Sequence, residues 1–207
     1  MVELRKRKIR TQSPAPEKRK KTASTAVNRS RQTAKTNDDT SHGNLSSKGL
    51  PQVGDTISLD GFGGELEKND GGKVTLRSLL DESKSGVVLF TYPRASTPGC
   101  TKQACLFRDN HDHLTSTGFS IYGLSTDSPK ANTTFQTKQS LPYPLLCDVH
   151  ATLIAAIGMK KLPKGTTRGV FAIDKNGKVL LSKAGGPDAT VEAVQKLVDG
   201  VLNGNDL

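Results

Sequence analysis

Tryptophan is missing from this chain of 207 residues, and Met, Cys and aromatic side chains are scarce: two, three and 4% of positions. Three cysteines cannot form a disulfide framework in a chain this long, so a reducing compartment is expected. No apolar run approaches the ~18 residues that a spanning helix needs, which excludes a transmembrane helix. No Cys-x-x-Cys is present, and His111, His113 and His150 show no metal-ligand spacing with the cysteines, so a zinc site is not expected. The same missing motif disfavours a general disulfide oxidoreductase. The N-terminus has no apolar core of a secretory signal. It is basic and rich in Ser and Thr like a mitochondrial presequence, but its charges fall in blocks and its apolar residues are too few for an amphipathic helix.

Acidic residues are almost absent from the first 36 positions, which hold twelve Lys or Arg against Glu3 and Glu17. They therefore carry the whole formal charge of +10, and the remaining eighteen basic and eighteen acidic residues cancel. Residues 1–48 contain almost no large apolar side chains and cannot bury enough surface to offset ordering, so a disordered tail is expected. Two basic blocks punctuate it: Arg5, Lys6, Arg7, Lys8 and Arg10, then Lys18, Arg19, Lys20 and Lys21. Such blocks in an extended segment suit a nuclear import receptor, which predicts a nuclear location. A tail of this kind can also bind nucleic acid weakly and with strong salt dependence. That leaves a second reading, a redox-sensing chromatin- or nucleic-acid-associated protein whose tail carries the binding.

Residues 49–207 read as one folded domain. Gly61 to Gly72 is polar and Gly-rich and reads as hairpin loops, followed by a short strand and a helical turn within Val74–Leu80. Val87-Val-Leu-Phe90 is the most hydrophobic short run and predicts a buried strand. Phe119–Ser125 predicts a second, Leu145-Leu146 a short third, and Asp127-Ser-Pro129 a helix start reaching Gln139. A short helix is expected from His150 to Gly158. Lys175-Asn-Gly177 between two apolar runs predicts a hairpin. Thr190 to Leu202 places Val191, Val194, Leu197, Val198, Val201 and Leu202 on one face of a terminal helix. Alternating strands and helices ending in a hairpin imply an α/β domain, a mixed central sheet flanked by helices.

The densest chemistry lies in Thr91-Tyr-Pro-Arg-Ala-Ser-Thr-Pro-Gly-Cys100-Thr-Lys-Gln-Ala-Cys105. Thr97 suits a helix N-cap and Pro98 the first helical position, with the helix expected to run to about Leu114. Cys100 then falls in the first turn, where free N–H groups and the helix dipole stabilise negative charge on a thiolate. Five residues of helix turn two side chains about 140° apart and separate their Cα atoms by about 8.5 Å. A disulfide tolerates about 7 Å, so Cys100 and Cys105 could join only if the first turns unwound.

Pro93-Arg-Ala-Ser-Thr97-Pro-Gly-Cys100 resembles the Pro-x-x-x-Thr-x-x-Cys signature of peroxiredoxins. Ala104-Cys105 followed by Phe107-Arg-Asp109 is similar to the peroxiredoxin Q, or bacterioferritin-comigratory-protein, class. With its basic tail the chain resembles the nuclear thiol peroxidases of fungi. The resemblance runs from about Leu50 to Leu202 and implies a thioredoxin-like fold. It implies a peroxidatic Cys100 that reduces hydrogen peroxide and alkyl hydroperoxides and becomes a sulfenic acid. Cys105 would resolve that acid as an intramolecular disulfide, and thioredoxin would recycle it. Thr97 would orient the peroxide, Pro93 would shield the sulfur, and Arg168, before Gly169-Val-Phe, would stabilise the thiolate and the leaving oxygen. No cofactor is implied, and a monomer is expected. Cys147 matches no catalytic position and reads as a small residue near a strand end. Arg94 and Lys102 could add positive potential, and Arg108 with Asp109 could be an ion pair or a support for the site.

Overall fold

A computed structural model describes residues 49–204. The tail expected over 1–48, with its basic blocks, lies outside the described residues. The architecture is built around β3 (Gly86–Thr91), the GVVLFT run, in which every residue is buried. β3 pairs in parallel with β4 (Phe119–Ser125) and antiparallel with β6 (Gly169–Asp174). β4 continues in parallel to β5 (Leu145–Cys147), and β6 turns back antiparallel into β7 (Val179–Ala184). On the far edge, β1 (Glu65–Lys68) and β2 (Lys73–Thr75) form a hairpin that joins β5. The resulting sheet of seven strands has the order β2-β1-β5-β4-β3-β6-β7.

Both faces of the sheet are covered, which explains why β3 is apolar without alternation. Val88, Phe90 and Tyr92 point into one core. That layer is completed by α2 (Pro98–Asp109), α3 (His111–Thr115), α4 (Pro129–Gln139) and α6 (Pro187–Leu202). Val87 and Leu89 point the other way, under α1 (Leu76–Glu82) and α5 (Thr152–Ala156). Phe90 stacks on Phe107 of α2 with ring centroids 4.4 Å apart and meets Tyr143 edge-on at 5.5 Å. Such pairs add about 0.5–1.5 kcal/mol each beyond their buried area and lock α2 over β3. The expected α/β architecture, a thioredoxin-like mixed sheet flanked by helices, is what the chain adopts. Among the described residues no helix is long and apolar enough to cross a membrane.

Several local expectations need correction. The stretch read as loops over Gly61–Gly72 contains β1, whose polar residues hid it; only Leu66 turns inward, opposite Val74. The helix expected to reach Leu114 breaks at Asn110, whose side chain donates to the Leu106 carbonyl at 2.9 Å and accepts from Gln195 at 3.0 Å. A side chain that competes for backbone partners in this way favours a cap over a helix interior. The helix expected over His150–Gly158 is shorter, because buried Asp148 accepts the N–H groups of Thr152 and Ile154 and sets its start. The terminal helix begins at Pro187, and Leu202 is exposed rather than on the buried face.

Burial raises the pKa of the Tyr92 and Tyr143 phenols and the Cys147 thiol. The folded state then keeps protons that the unfolded chain releases above its ordinary values, about 8.5 for a thiol and about 10 for a phenol. Stability from these groups is whole below those values and is lost as pH rises beyond them. The urea midpoint is therefore expected to hold level from neutral pH to about 8 and then fall toward pH 11. A midpoint that stayed level to pH 11 would contradict this account.

Candidate active site

The loop from Tyr92 to Thr97 joins the C-terminal end of β3 to the start of α2, and its backbone turns at Ser96, which has φ of 60°. Thr97 takes the N-cap position with extended backbone, and Pro98 opens the helix. Its hydroxyl makes no cap hydrogen bond; it donates instead to the Arg94 carbonyl at 2.9 Å. The expected capping hydroxyl is thus corrected. The turn at Ser96 brings the Arg94 carbonyl within reach, and the contact is exposed to solvent. Pro93 lies in the same loop.

Cys100 sits in the first turn of α2, 1% exposed, as a free thiol. Arg168, the residue before β6, reaches it. Its Nη2 lies 3.4 Å from Cys100 Sγ, and its Nη1 donates to the Gly99 carbonyl at 2.6 Å. The register that pairs Thr91 with Gly169 makes this possible across 68 residues of sequence. Glycine at 99 is part of the arrangement, since a Cβ there would stand 3.1 Å from Arg168 Nη2. A guanidinium at this distance stabilises negative charge on sulfur, and its planar fork fixes its own orientation through the carbonyl.

Cys105 is half-buried, also a free thiol, and faces Gln139 at the end of α4. Cys100 and Cys105 stand five residues apart within the same helix, so the spacing argument applies to the folded chain. Cys147 is buried at the end of β5, accepting from Asn132 Nδ2 at 3.2 Å. Lys102 is paired with Asp188 at 2.6 Å, which offsets its charge. Arg108 pairs with Asp109 and also donates to the Gln139 carbonyl.

Sequence reasoning passed over the polar residues behind this loop. Asp127 Oδ2 accepts the Ala95 N–H at 2.7 Å and so holds the middle of the loop. Buried Asn132 accepts from the Tyr92 hydroxyl at 2.9 Å and donates to Ser125 and Cys147. Gln103, one turn beyond Cys100 and fully buried, donates to Thr190 of α6 at 3.2 Å. Asp127 stood inside a visible helix-start signal. Asn132 and Gln103 carried none, because a polar residue within a helix reads as solvent-facing.

A thiol in the first turn of a helix on a thioredoxin-like sheet, with an arginine against the sulfur, defines a thiol-dependent redox enzyme. The sequence model described as the AhpC/TSA family matches residues 62–182. Peroxiredoxin bcp1 of Schizosaccharomyces pombe is 43% identical over 110 residues, 53% of each chain. Peroxiredoxin Bcp of Bacillus subtilis is 36% identical over 154 residues, 70% of this chain and 97% of the relative. A structure of the Xanthomonas campestris bacterioferritin comigratory protein, solved to study its alkyl peroxide reduction, superposes with a TM-score of 0.64. It is 25% identical, and the match covers 71% of this chain and 99% of that chain. The chain belongs to the AhpC/TSA family and, within it, to the peroxiredoxins of the Q/Bcp class.

The Asp127 brace is directly testable by peroxide kinetics. Asp127→Ala is expected to slow the reaction of Cys100 with peroxide about 10- to 100-fold, the scale of a loop misplacement near reacting atoms. Asp127→Asn keeps an acceptor for Ala95 and should stay near the wild-type rate. Equal rates for all three proteins would remove the brace from the mechanism.

Proposed function

We propose that the chain is a thioredoxin-dependent thiol peroxidase that reduces hydrogen peroxide and alkyl hydroperoxides through Cys100. The observation that carries this reading is the contact of Arg168 with both Cys100 Sγ and the Gly99 carbonyl. The Cys100 thiolate attacks one peroxide oxygen; the S–O bond forms as the O–O bond breaks, and the second oxygen leaves with a proton as water or alcohol. Arg168 stabilises the negative charge at the start on sulfur and, in the transition state, on the leaving oxygen. Thr97 Oγ, whose proton is committed to Arg94, accepts the hydrogen of the incoming hydroperoxide and aligns it. Pro93 keeps water from the sulfenic acid.

Cys105 then attacks the Cys100 sulfenic sulfur, releasing water and leaving a disulfide. An external dithiol of the thioredoxin type reduces that bond by exchange. Because the pair is spaced along one helix, each cycle includes a local unwinding of α2. The basic blocks at Arg5–Arg10 and Lys18–Lys21 engage an import receptor and bring the enzyme to the nucleus.

Stopped-flow turnover with peroxide and thioredoxin tests the chemistry. Cys100→Ser is expected to abolish it, Arg168→Ala to lower the peroxide step about 100- to 1,000-fold, and Cys105→Ser to stop after one equivalent. Full turnover by Cys100→Ser would overturn the assignment, whereas full turnover by Cys105→Ser would overturn only the resolving role. Localisation is read separately, by microscopy of a fluorescent fusion. Residues 1–48 are expected to carry the fusion into nuclei, and replacing Lys18, Arg19, Lys20 and Lys21 by Ala to leave it spread through the cell.

A further inference from the structure

If Cys105 resolves Cys100, the contacts that hold Cys105 in its helix oppose the reaction, and they come from one short segment. Gln139 is the last residue of α4, and its carbonyl is one that the helix itself leaves unpaired. Arg108 Nη1 donates to that carbonyl at 2.7 Å. The Cys105 thiol donates to the Oε1 of the same glutamine at 3.5 Å. Four residues on, the buried Tyr143 hydroxyl donates to the Ala104 carbonyl at 2.7 Å. Arg108 is itself oriented by Asp109, through Nε to Oδ1 at 2.8 Å. Residues 104, 105 and 108 of α2 are thus tied to 139–143.

The other end of the helix is held differently. Thr97 offers no side-chain cap, and backbone bonding there begins with the Thr101 N–H to the Thr97 carbonyl at 2.8 Å. Unwinding can start at Thr97 and pass Cys100, but the Cys105 thiol points at Gln139 until that contact opens. We propose that Gln139 and Arg108 form a clasp on the Cys105 turn that sets how fast the Cys100 sulfenic acid becomes a disulfide. Neither residue touches the reacting peroxide, so both are positioning residues. This inference rests on the proposed resolving role of Cys105.

The clasp has a chemical consequence. A sulfenic acid that waits can meet a second peroxide and go on to sulfinic acid, with a new S–O bond and loss of another water or alcohol. Slower opening of the clasp therefore gives more sulfinic acid at a given peroxide concentration. Loosening it shifts the competition toward disulfide.

The test uses the full chain. With no tryptophan to report the change, samples quenched with acid and alkylating agent are followed by mass spectrometry of the Cys100 peptide. Gln139→Ala and Arg108→Ala are each expected to speed sulfenic acid to disulfide conversion about two- to tenfold, the scale of one hydrogen bond. The peroxide concentration giving half sulfinic acid should rise by a similar factor. The bimolecular step at Cys100 should be unchanged, and Arg108→Lys, which keeps a donor, should resemble wild type. Conversion that is unchanged or slower in a folded Gln139→Ala protein overturns the clasp. Absence of any Cys100–Cys105 disulfide in the wild-type sample overturns the resolving role itself, and the same spectra distinguish the two failures.

Discussion

The register between β3 and β6 is the constraint on which the site depends. Cys100 and Arg168 belong to segments far apart in sequence, and each is placed only because Thr91 lies opposite Gly169. A slip of one residue would turn the side chains of β6 to the opposite face of the sheet and take Arg168 away from the sulfur. Several bonds beyond the ladder keep that from happening. Thr91 Oγ1 donates to the Thr167 carbonyl at 2.7 Å, and the Gly185 N–H donates to the carbonyl of Arg168 at 3.0 Å. The arginine's backbone is therefore pinned on both sides before its guanidinium is considered. Phe171 and Ile173 of β6 pack under the sheet and Val170 and Ala172 above it, so the hydrophobic cores themselves enforce the alignment.

Burial makes the pairing necessary as well as possible. The Cys100 side chain, with 1% exposure, has lost nearly all contact with water. Negative charge that develops in such a place needs a partner, and the Arg168 guanidinium with its fixed orientation replaces much of the lost solvation. The Gly99 carbonyl has a second function here, since it takes one arm of the guanidinium and leaves the other directed at sulfur. Lysine could supply charge at this point but could not make that division, because its ammonium carries no planar fork.

Local signals strong enough to be read alone were legible: the apolar run of β3, Pro98 after Thr97, the Asn-Gly turn between β6 and β7, and the apolar face of α6. They gave the layer order because a strand buried on both faces admits few arrangements. What escaped depends on contacts between distant segments. β1 has one inward residue in four and exists because β2 and β5 flank it. The Thr97 hydroxyl prefers the Arg94 carbonyl because the loop turns at Ser96, a conformation that serine seldom adopts and that the letter itself does not disclose. Arg168 was reached through resemblance, since an arginine ahead of a strand has no local mark of its partner. Asn132 and Gln139 had no mark at all, and their roles come only from what faces them.

In the proposed cycle, the peroxide step and the disulfide step ask opposite things of α2. Attack on peroxide needs the first turn intact, with Cys100 buried against Arg168 and the loop held by Asp127. Joining Cys100 to Cys105 needs that turn undone. The bonding of the helix divides along the same line. Its first turn lacks a side-chain cap, while Ala104, Cys105 and Arg108 are tied to the segment from Gln139 to Tyr143, and Phe107 is stacked on Phe90. Opening can therefore begin near Cys100, end at the Cys105 turn once its contact with Gln139 is released, and spare the aromatic contacts that join the helix to the sheet. The long-range packing that defines the fold then survives each opening, and the same contacts return the helix to its place once the disulfide is reduced.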